Sequence, residues 1–333
     1  MTTASVWFPR AREVEIRDEN VGRAGPGEVR VHAVASGLSH GTEMLVFRGE
    51  VPTDLALDLP TLAGSYAFPI KFGYASVGRV IETGAGVTEL APGDHVFVHH
   101  PHQQEYVVRA TSAVRLPKRL PPELGVFLAN CETALNVVLD AHPHLGDEVA
   151  VFGQGVVGLL VTQLLERAGA LVTAVEPISV RRELALRGGA DDAVAPDGAL
   201  ARIATRTNGR GADVVIEASG NASALQLAID AAAFQASIVV CSWYGTKPVS
   251  LDLGSRFHRQ RLRLVSSQVS QIDPALAPRW DRQRRLDTAL ALLEELVLGP
   301  LISHRIPFAK AAEAYELVDQ RPEETVQVIL TYD

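Results

Sequence analysis

Val149-Ala150-Val151-Phe152-Gly153-Gln154-Gly155-Val156-Val157-Gly158 is the stretch on which the reading of this chain turns. Its four leading apolar residues predict a buried strand, and a helical pattern follows from Val157 to Ala168, so the Gly-x-Gly-x-x-Gly run has a strand before it and a helix after it. In that setting each glycine has a physical task. Gly153 permits the tight turn, Gly155 lets the backbone approach a pyrophosphate, and Gly158 allows the helix to pack closely on the strand. The helix N-terminus, opening at Val156 and Val157, offers free N–H groups and a positive dipole to the anion. The stretch therefore predicts a dinucleotide site. Glu176, ending the next strand Leu171 to Val175, stands at the separation of roughly twenty residues where a carboxylate accepts the adenosine ribose hydroxyls. That favours NAD, while Arg181 and Arg182 close by leave NADP open.

Outward from this turn the pattern is α/β. Val214 to Glu217 and Ser237 to Val240 read as further strands alternating with helical segments, which predicts βαβ units about a doubly wound parallel sheet, a Rossmann domain over residues 130–270. The first hundred-odd residues read instead as short strands between turns, such as Glu28 to Val34, Gly78 to Glu82 and, after Pro92-Gly93-Asp94, His95 to Val98; this is an all-β module. A helix from Leu286 to Leu298, a strand from Leu301 to Arg305, a helix from Phe308 to Asp319 and a last strand from Val326 to Leu330 look like a return to that module. The first domain is thus expected to be built from residues 1–129 and 271–333.

Composition bounds the function. At 333 residues, 47% of them hydrophobic and 21% charged, the chain is long enough for two packed cores. A net charge of −8 argues against attraction to nucleic acid or to anionic lipid; the clusters Arg256/Arg259/Arg261/Arg263 and Arg282/Arg284/Arg285 read as solvated faces. Two cysteines, Cys131 and Cys241, exclude a disulfide framework and a four-cysteine zinc site. With no signal-like start and no uninterrupted apolar run of bilayer length, a cytoplasmic protein is expected, with no membrane partner.

Several segments taken together resemble the medium-chain dehydrogenase/reductase superfamily, and within it the zinc-type alcohol, polyol and threonine dehydrogenases. They are Gly37 to Glu43 with Phe47-Arg48-Gly49, Gly73 to Val80 with Pro92-Gly93-Asp94, the glycine turn, Glu217-Ala218-Ser219-Gly220, and Pro300 to His304 before Phe308 and Ala311 to Ala314. The resemblance spans nearly the whole chain. It implies a GroES-like β domain beside the Rossmann domain, a homodimer or homotetramer, and nicotinamide or cofactor contacts from Thr133 and Ser219.

The same resemblance exposes a departure. Where zinc-type relatives have metal ligands, this chain has Ser39 or His40 in the first loop, Tyr74 and Ala75 in the second, and Ala129 in the third. A catalytic zinc needs three nitrogen, sulfur or oxygen ligands, which this set does not supply, so a zinc-independent enzyme is expected. The resemblance sets Tyr74 and His40 toward the nicotinamide, and both can donate a hydrogen bond. Either is expected to be the acid/base, with Glu43 orienting or charging His40 and Ser39 offering a hydroxyl relay. In the run His99-His100-Pro101-His102, strand alternation would put His100 and His102 on one face, where with His40 they could bind a metal; the resemblance makes His100 a lining residue of the substrate pocket. The expected activity is interconversion of a secondary alcohol and a ketone, on a small molecule, with NAD or NADP. The alternatives are an NAD(P)H-dependent reductase of activated C=C bonds (enones, quinones) and a non-catalytic cofactor-binding protein.

Overall fold

The computed structural model describes residues 2–57, 61 and 64–333. The chain forms two compact units, Met1–Ala129 with Leu293–Asp333, and Asn130–Leu292.

The second unit carries six parallel strands in the spatial order Asp192–Val194, Leu171–Val175, Glu148–Phe152, Ala212–Glu217, Ala232–Val240, Arg263–Ser266. The chain winds outward from Glu148–Phe152 in one direction and then resumes on its other side at Ala212–Glu217. This reversal is the switch point at which such sheets open a crevice beyond their carboxyl ends. Both faces of the sheet are covered, which is why its strands are continuous apolar runs: Val149, Ala150, Val151 and Phe152 are all at most 1% exposed. The fold is the doubly wound α/β arrangement expected.

The helix Arg282–Leu292 also belongs to this unit, although the sequence reading placed residues 271–292 with the first domain. The reason is electrostatic. Arg285 is buried, and its guanidinium donates to Glu132 Oε1 from Nε (3.0 Å) and Nη2 (2.9 Å) and to Asn136 Oδ1 from Nη1 (2.6 Å). The helix begins four residues earlier than periodicity suggests because Asp281 accepts the Arg284 N–H at 2.7 Å and caps it.

The first unit is the β module. Glu28–Gly37 buries alternate residues Val29, Val31, Ala33 and Ala35, and pairs antiparallel with Ser76–Thr83, Glu105–Arg109 and Gln327–Thr331. Ile302–Pro307 lies parallel to Gln327–Thr331, with the helix Ala311–Gln320 connecting them. The C-terminal strand therefore lies along the end of Glu28–Gly37, Leu330 opposite Ser36 and Ile329 opposite Gly37. Beneath, Phe8 and Tyr315 meet edge to face at 5.0 Å, and Phe47 lies tilted against Tyr315 at 5.3 Å, inside an apolar cluster with Met44 and Phe72.

One helical run, Pro122–Ala141, is long and apolar enough to cross a bilayer by length and composition, and 61% of its apolar window is buried inside the protein, as a core helix is. Truncating Arg285 would leave Glu132 with its charge in a largely buried place, so Arg285→Ala is expected to lower the unfolding free energy by about 3 kcal/mol or more, read from urea melts of the wild type and variant.

Candidate active site

In the second unit the glycine turn has the geometry its spacing predicts. Gly153 has φ +91°, and a Cβ there would lie 2.7 Å from the Cα and N of Ser219; a Cβ on Gly158 would lie 1.9 Å from the Gly153 carbonyl oxygen. Only hydrogen fits at either place. On Gly155, by contrast, a Cβ would meet nothing within 4 Å, so the turn opens there and the helix Val156–Arg167 starts with its first amides free to meet an anion. Val156 is buried at the helix start and Val157 half-buried.

Two acids shape this crevice. Glu176 is buried, its Oε2 accepting the Gln154 N–H at 2.7 Å and its Oε1 the Ile178 N–H at 3.1 Å. Each oxygen keeps a second lone pair for a ribose hydroxyl. Arg182 Nη1 binds the Glu176 and Pro177 carbonyls at 2.8 and 2.7 Å, which commits it to bracing the loop. Arg181 is half-buried, and burial pulls its guanidinium below its ordinary pKa against the opposing pull of Glu176. Glu217, fully buried, accepts at Oε1 from the Ser219 N–H (2.7 Å), the Ser219 hydroxyl (2.5 Å) and the Gly220 N–H (2.9 Å), so Ser219 is a structural member of the loop packed on Gly153. Thr133 is half-buried on the helix Leu128–Ala141.

In the first unit the loop after Glu28–Gly37 brings Ser39 and His40, both half-buried, to the start of the helix Thr42–Arg48. The side chains of Ser39 and Thr42 lie beside the Tyr74 hydroxyl and favour its ionised form. Burial, with the negative charge of Glu43 adding to it, pushes its pKa up to about 12. Ser39, Tyr74 and Glu43 are thus one cluster. Glu43 also engages the imidazole of His102. Its Oε1 accepts from His102 Nε2 at 2.8 Å and from the Tyr315 hydroxyl, and its Oε2 from the Ser39 N–H at 3.1 Å. Ser36 Oγ stands 2.6 Å from His102 Nδ1 and 2.7 Å from the Tyr332 hydroxyl, continuing the chain.

The histidines part company because the chain leaves the strand at Val98 and Pro101 breaks the alternation. His99 reaches the Tyr74 carbonyl at 3.2 Å; His102 joins Glu43; His100 lies flat on Tyr106, centroids 3.8 Å apart and planes 11° apart, with Nδ1 on the Pro101 carbonyl at 3.0 Å. Burial depresses His100 to about 3. It is neutral near pH 7 and stacked on Tyr106. Sequence reasoning named His102 only as a metal candidate and passed over Ser36, Tyr315 and Tyr332. The contacts that join them to Glu43 and Ser36 span up to 296 residues, beyond the reach of any local pattern.

Residues 25–117 match the family of alcohol dehydrogenase GroES-like domains, and residues 156–283 match that of zinc-binding dehydrogenases. A curated relative, D-guloside 3-dehydrogenase of Escherichia coli (strain K12), is 32% identical over 328 residues, covering 92% of this chain and 93% of its own. The solved structure of 2R,3R-butanediol dehydrogenase from Bacillus subtilis superposes with a TM-score of 0.82 at 22% identity, over 99% of this chain and 100% of that one. An alcohol dehydrogenase from E. coli CFT073, solved with NADH, gives 0.79 at 20% identity over 99% of each. Fold, glycine turn and relatives define an NAD(P)-dependent oxidoreductase of alcohols and ketones. The chain belongs to the medium-chain dehydrogenase/reductase superfamily.

The zinc associated with this family does not fit the residues present. Tyr74 offers a phenol that burial keeps protonated, Ala75 is a buried methyl group, and among the described residues no three His, Cys, Asp or Glu side chains converge to hold a metal.

The depressed value of His100 makes a prediction about acid. The unfolded chain takes up this proton near pH 6.5 and the folded one only near 3, so the contribution is complete above about pH 6.5 and is lost as the pH falls toward 3. By pH 5 roughly 2 kcal/mol is gone from this one group. His100→Phe, which keeps the ring over Tyr106, is expected to flatten the fall in unfolding free energy between pH 6.5 and 5; parallel acid slopes for the two proteins would show that His100 is not so held.

Proposed function

We propose that this chain is a zinc-independent NAD(P)-dependent dehydrogenase that interconverts a secondary alcohol and its ketone. The observation that carries the reading is Tyr74 with Ala75 where the family resemblance sets metal ligands, a phenol beside Ser39 and Thr42 that burial keeps protonated.

The dinucleotide, when bound, supplies or takes up the hydride. The chain's own residues do the rest. Gly155 and the amides at Val156 and Val157 would hold the pyrophosphate, and the free lone pairs of Glu176 the ribose hydroxyls, which favours NAD; Arg181 beside it leaves NADP open. A carbonyl oxygen gains negative charge as hydride arrives, and a preorganised donor is the group that meets it. With a pKa near 12, Tyr74 at neutral pH is such a donor and not a base. His40, next to Ser39 in the chain, is the other candidate acid/base of this reading, the group that takes the proton when the alcohol is oxidised and returns it when the ketone is reduced. The same reading takes a small molecule as substrate, and a homodimer or homotetramer as the working form.

Assay of extensively dialysed, chelator-treated protein against a library of secondary alcohols and ketones tests this. Turnover is expected to survive chelation, and Tyr74→Phe and His40→Ala are each expected to lower it on the order of a hundredfold with dinucleotide affinity unchanged. One zinc per chain with activity lost on chelation would sink the proposal. Oxidation of NAD(P)H by enones and not by ketones would make the chain a C=C reductase instead.

A further inference from the structure

His102 is a fully buried titratable side chain that the proposed reaction does not use, and its surroundings place it between both segments that carry reaction groups. One contact runs through Glu43. His102 Nε2 donates to the carboxylate at 2.8 Å, and the other oxygen of that carboxylate accepts the Ser39 N–H at 3.1 Å, at the head of the loop that bears His40. The second contact is steric. A Cβ on Gly73, whose φ is +127°, would lie 2.8 Å from His102 Cδ2 and 2.9 Å from Nε2, so the imidazole fills the place of a side chain immediately before Tyr74. The ring itself is fixed from behind, since Ser36 Oγ meets Nδ1 at 2.6 Å and the Tyr332 hydroxyl meets Ser36 at 2.7 Å. A neutral imidazole so oriented donates at Nε2 and accepts at Nδ1. Every polar atom of the ring is used, in a core where apolar residues of the same volume would cost less to bury.

We propose that His102 is a positioning residue for the reaction, acting on Ser39 and His40 through the Glu43 carboxylate and on Tyr74 through Glu43 and the backbone at Gly73. The proposal rests on the functional reading above, in which Tyr74 and His40 meet the substrate. The charge of Glu43 acts directly on the Tyr74 phenol, the nearby Tyr66 adding to it, so the link has a signature that does not depend on turnover.

The test uses full-length protein labelled with 13Cζ-tyrosine, the Tyr74 resonance being the one lost in Tyr74→Phe. Glu43→Gln is expected to bring the Tyr74 titration midpoint down by on the order of one pH unit, because a charge that opposes ionisation is gone. His102→Leu is expected to displace the Tyr74 resonance at neutral pH and to lower kcat roughly ten- to a hundredfold with the dinucleotide Kd unchanged. His102→Gln, which keeps a donor toward Glu43 and an acceptor toward Ser36, is expected to restore both. A folded Leu variant with wild-type kcat and an unmoved Tyr74 resonance, a Gln variant as impaired as the Leu variant, or an unmoved midpoint in Glu43→Gln would each overturn the proposal. If the Leu variant does not fold, the Gln and Glu43 variants still decide it. A wild type that turns over no alcohol or ketone removes the functional reading, while the resonance shifts still report whether His102 and Glu43 govern Tyr74.

Discussion

The first unit is organised around a carboxylate that water cannot reach. Glu43 is fully buried, and an ion in that position costs several kcal/mol unless donors replace its hydration. Three do: His102 Nε2, the Tyr315 hydroxyl and the Ser39 amide. They come from the loop after His95–Val98, from the helix Ala311–Gln320 and from the chain just before Glu43 itself. Satisfying one charge thus requires the C-terminal segment to return to an N-terminal module, and Ser36 with Tyr332 repeats the requirement one bond further along. The split course of the chain through this unit is partly the consequence of that demand.

The same device recurs at the crevice of the parallel sheet. Glu176 and Glu217 end or follow strands on either side of the glycine turn, and both accept backbone amides of adjacent loops, Glu176 at both oxygens and Glu217 at Oε1. Through Gln154, Glu176 fixes the turn itself; through Ser219 and Gly220, Glu217 fixes the loop that packs on Gly153. The absence of a side chain at Gly153 follows from that packing, since the Ser219 backbone occupies the place a Cβ would take. A turn shaped by its neighbours before any ligand arrives has less ordering left to do on binding.

What could be read from the chain alone divides along the same lines. The strand, glycine turn and helix from Val149 to Ala168 were legible because their determinants are local: apolar continuity and steric space that only glycine leaves. Glu176 was legible by spacing. Ser39 and Tyr74 were singled out from the family resemblance, and the fold brings their side chains near one another. The bond between Glu43 and His102 was not legible, since His102 stands fifty-nine residues away and proximity in sequence points only to His40. The contacts of His100 and His102 were not legible for a related reason: alternation assumes a strand, and the strand ends at Val98. The placement of Arg282–Leu292 depended on a buried guanidinium finding Glu132 and Asn136 some 150 residues earlier, which no window of sequence contains.

A metal polarises a carbonyl with a positive charge; a phenol does so with a dipole, and much of its advantage over water lies in being correctly placed. The surroundings of Tyr74 are consistent with that limit. Burial and the Glu43 charge hold the hydroxyl protonated far above neutral pH, so it is always a donor, while Ser39 and Thr42 lie beside it. A weaker electrophile tolerates less error in geometry. On the proposed reading, that demand would be met by the committed hydrogen bonds behind it, where Glu43, His102, Ser36, Tyr315 and Tyr332 are joined in the interior. The Glu43 carboxylate then serves to hold a neutral donor still.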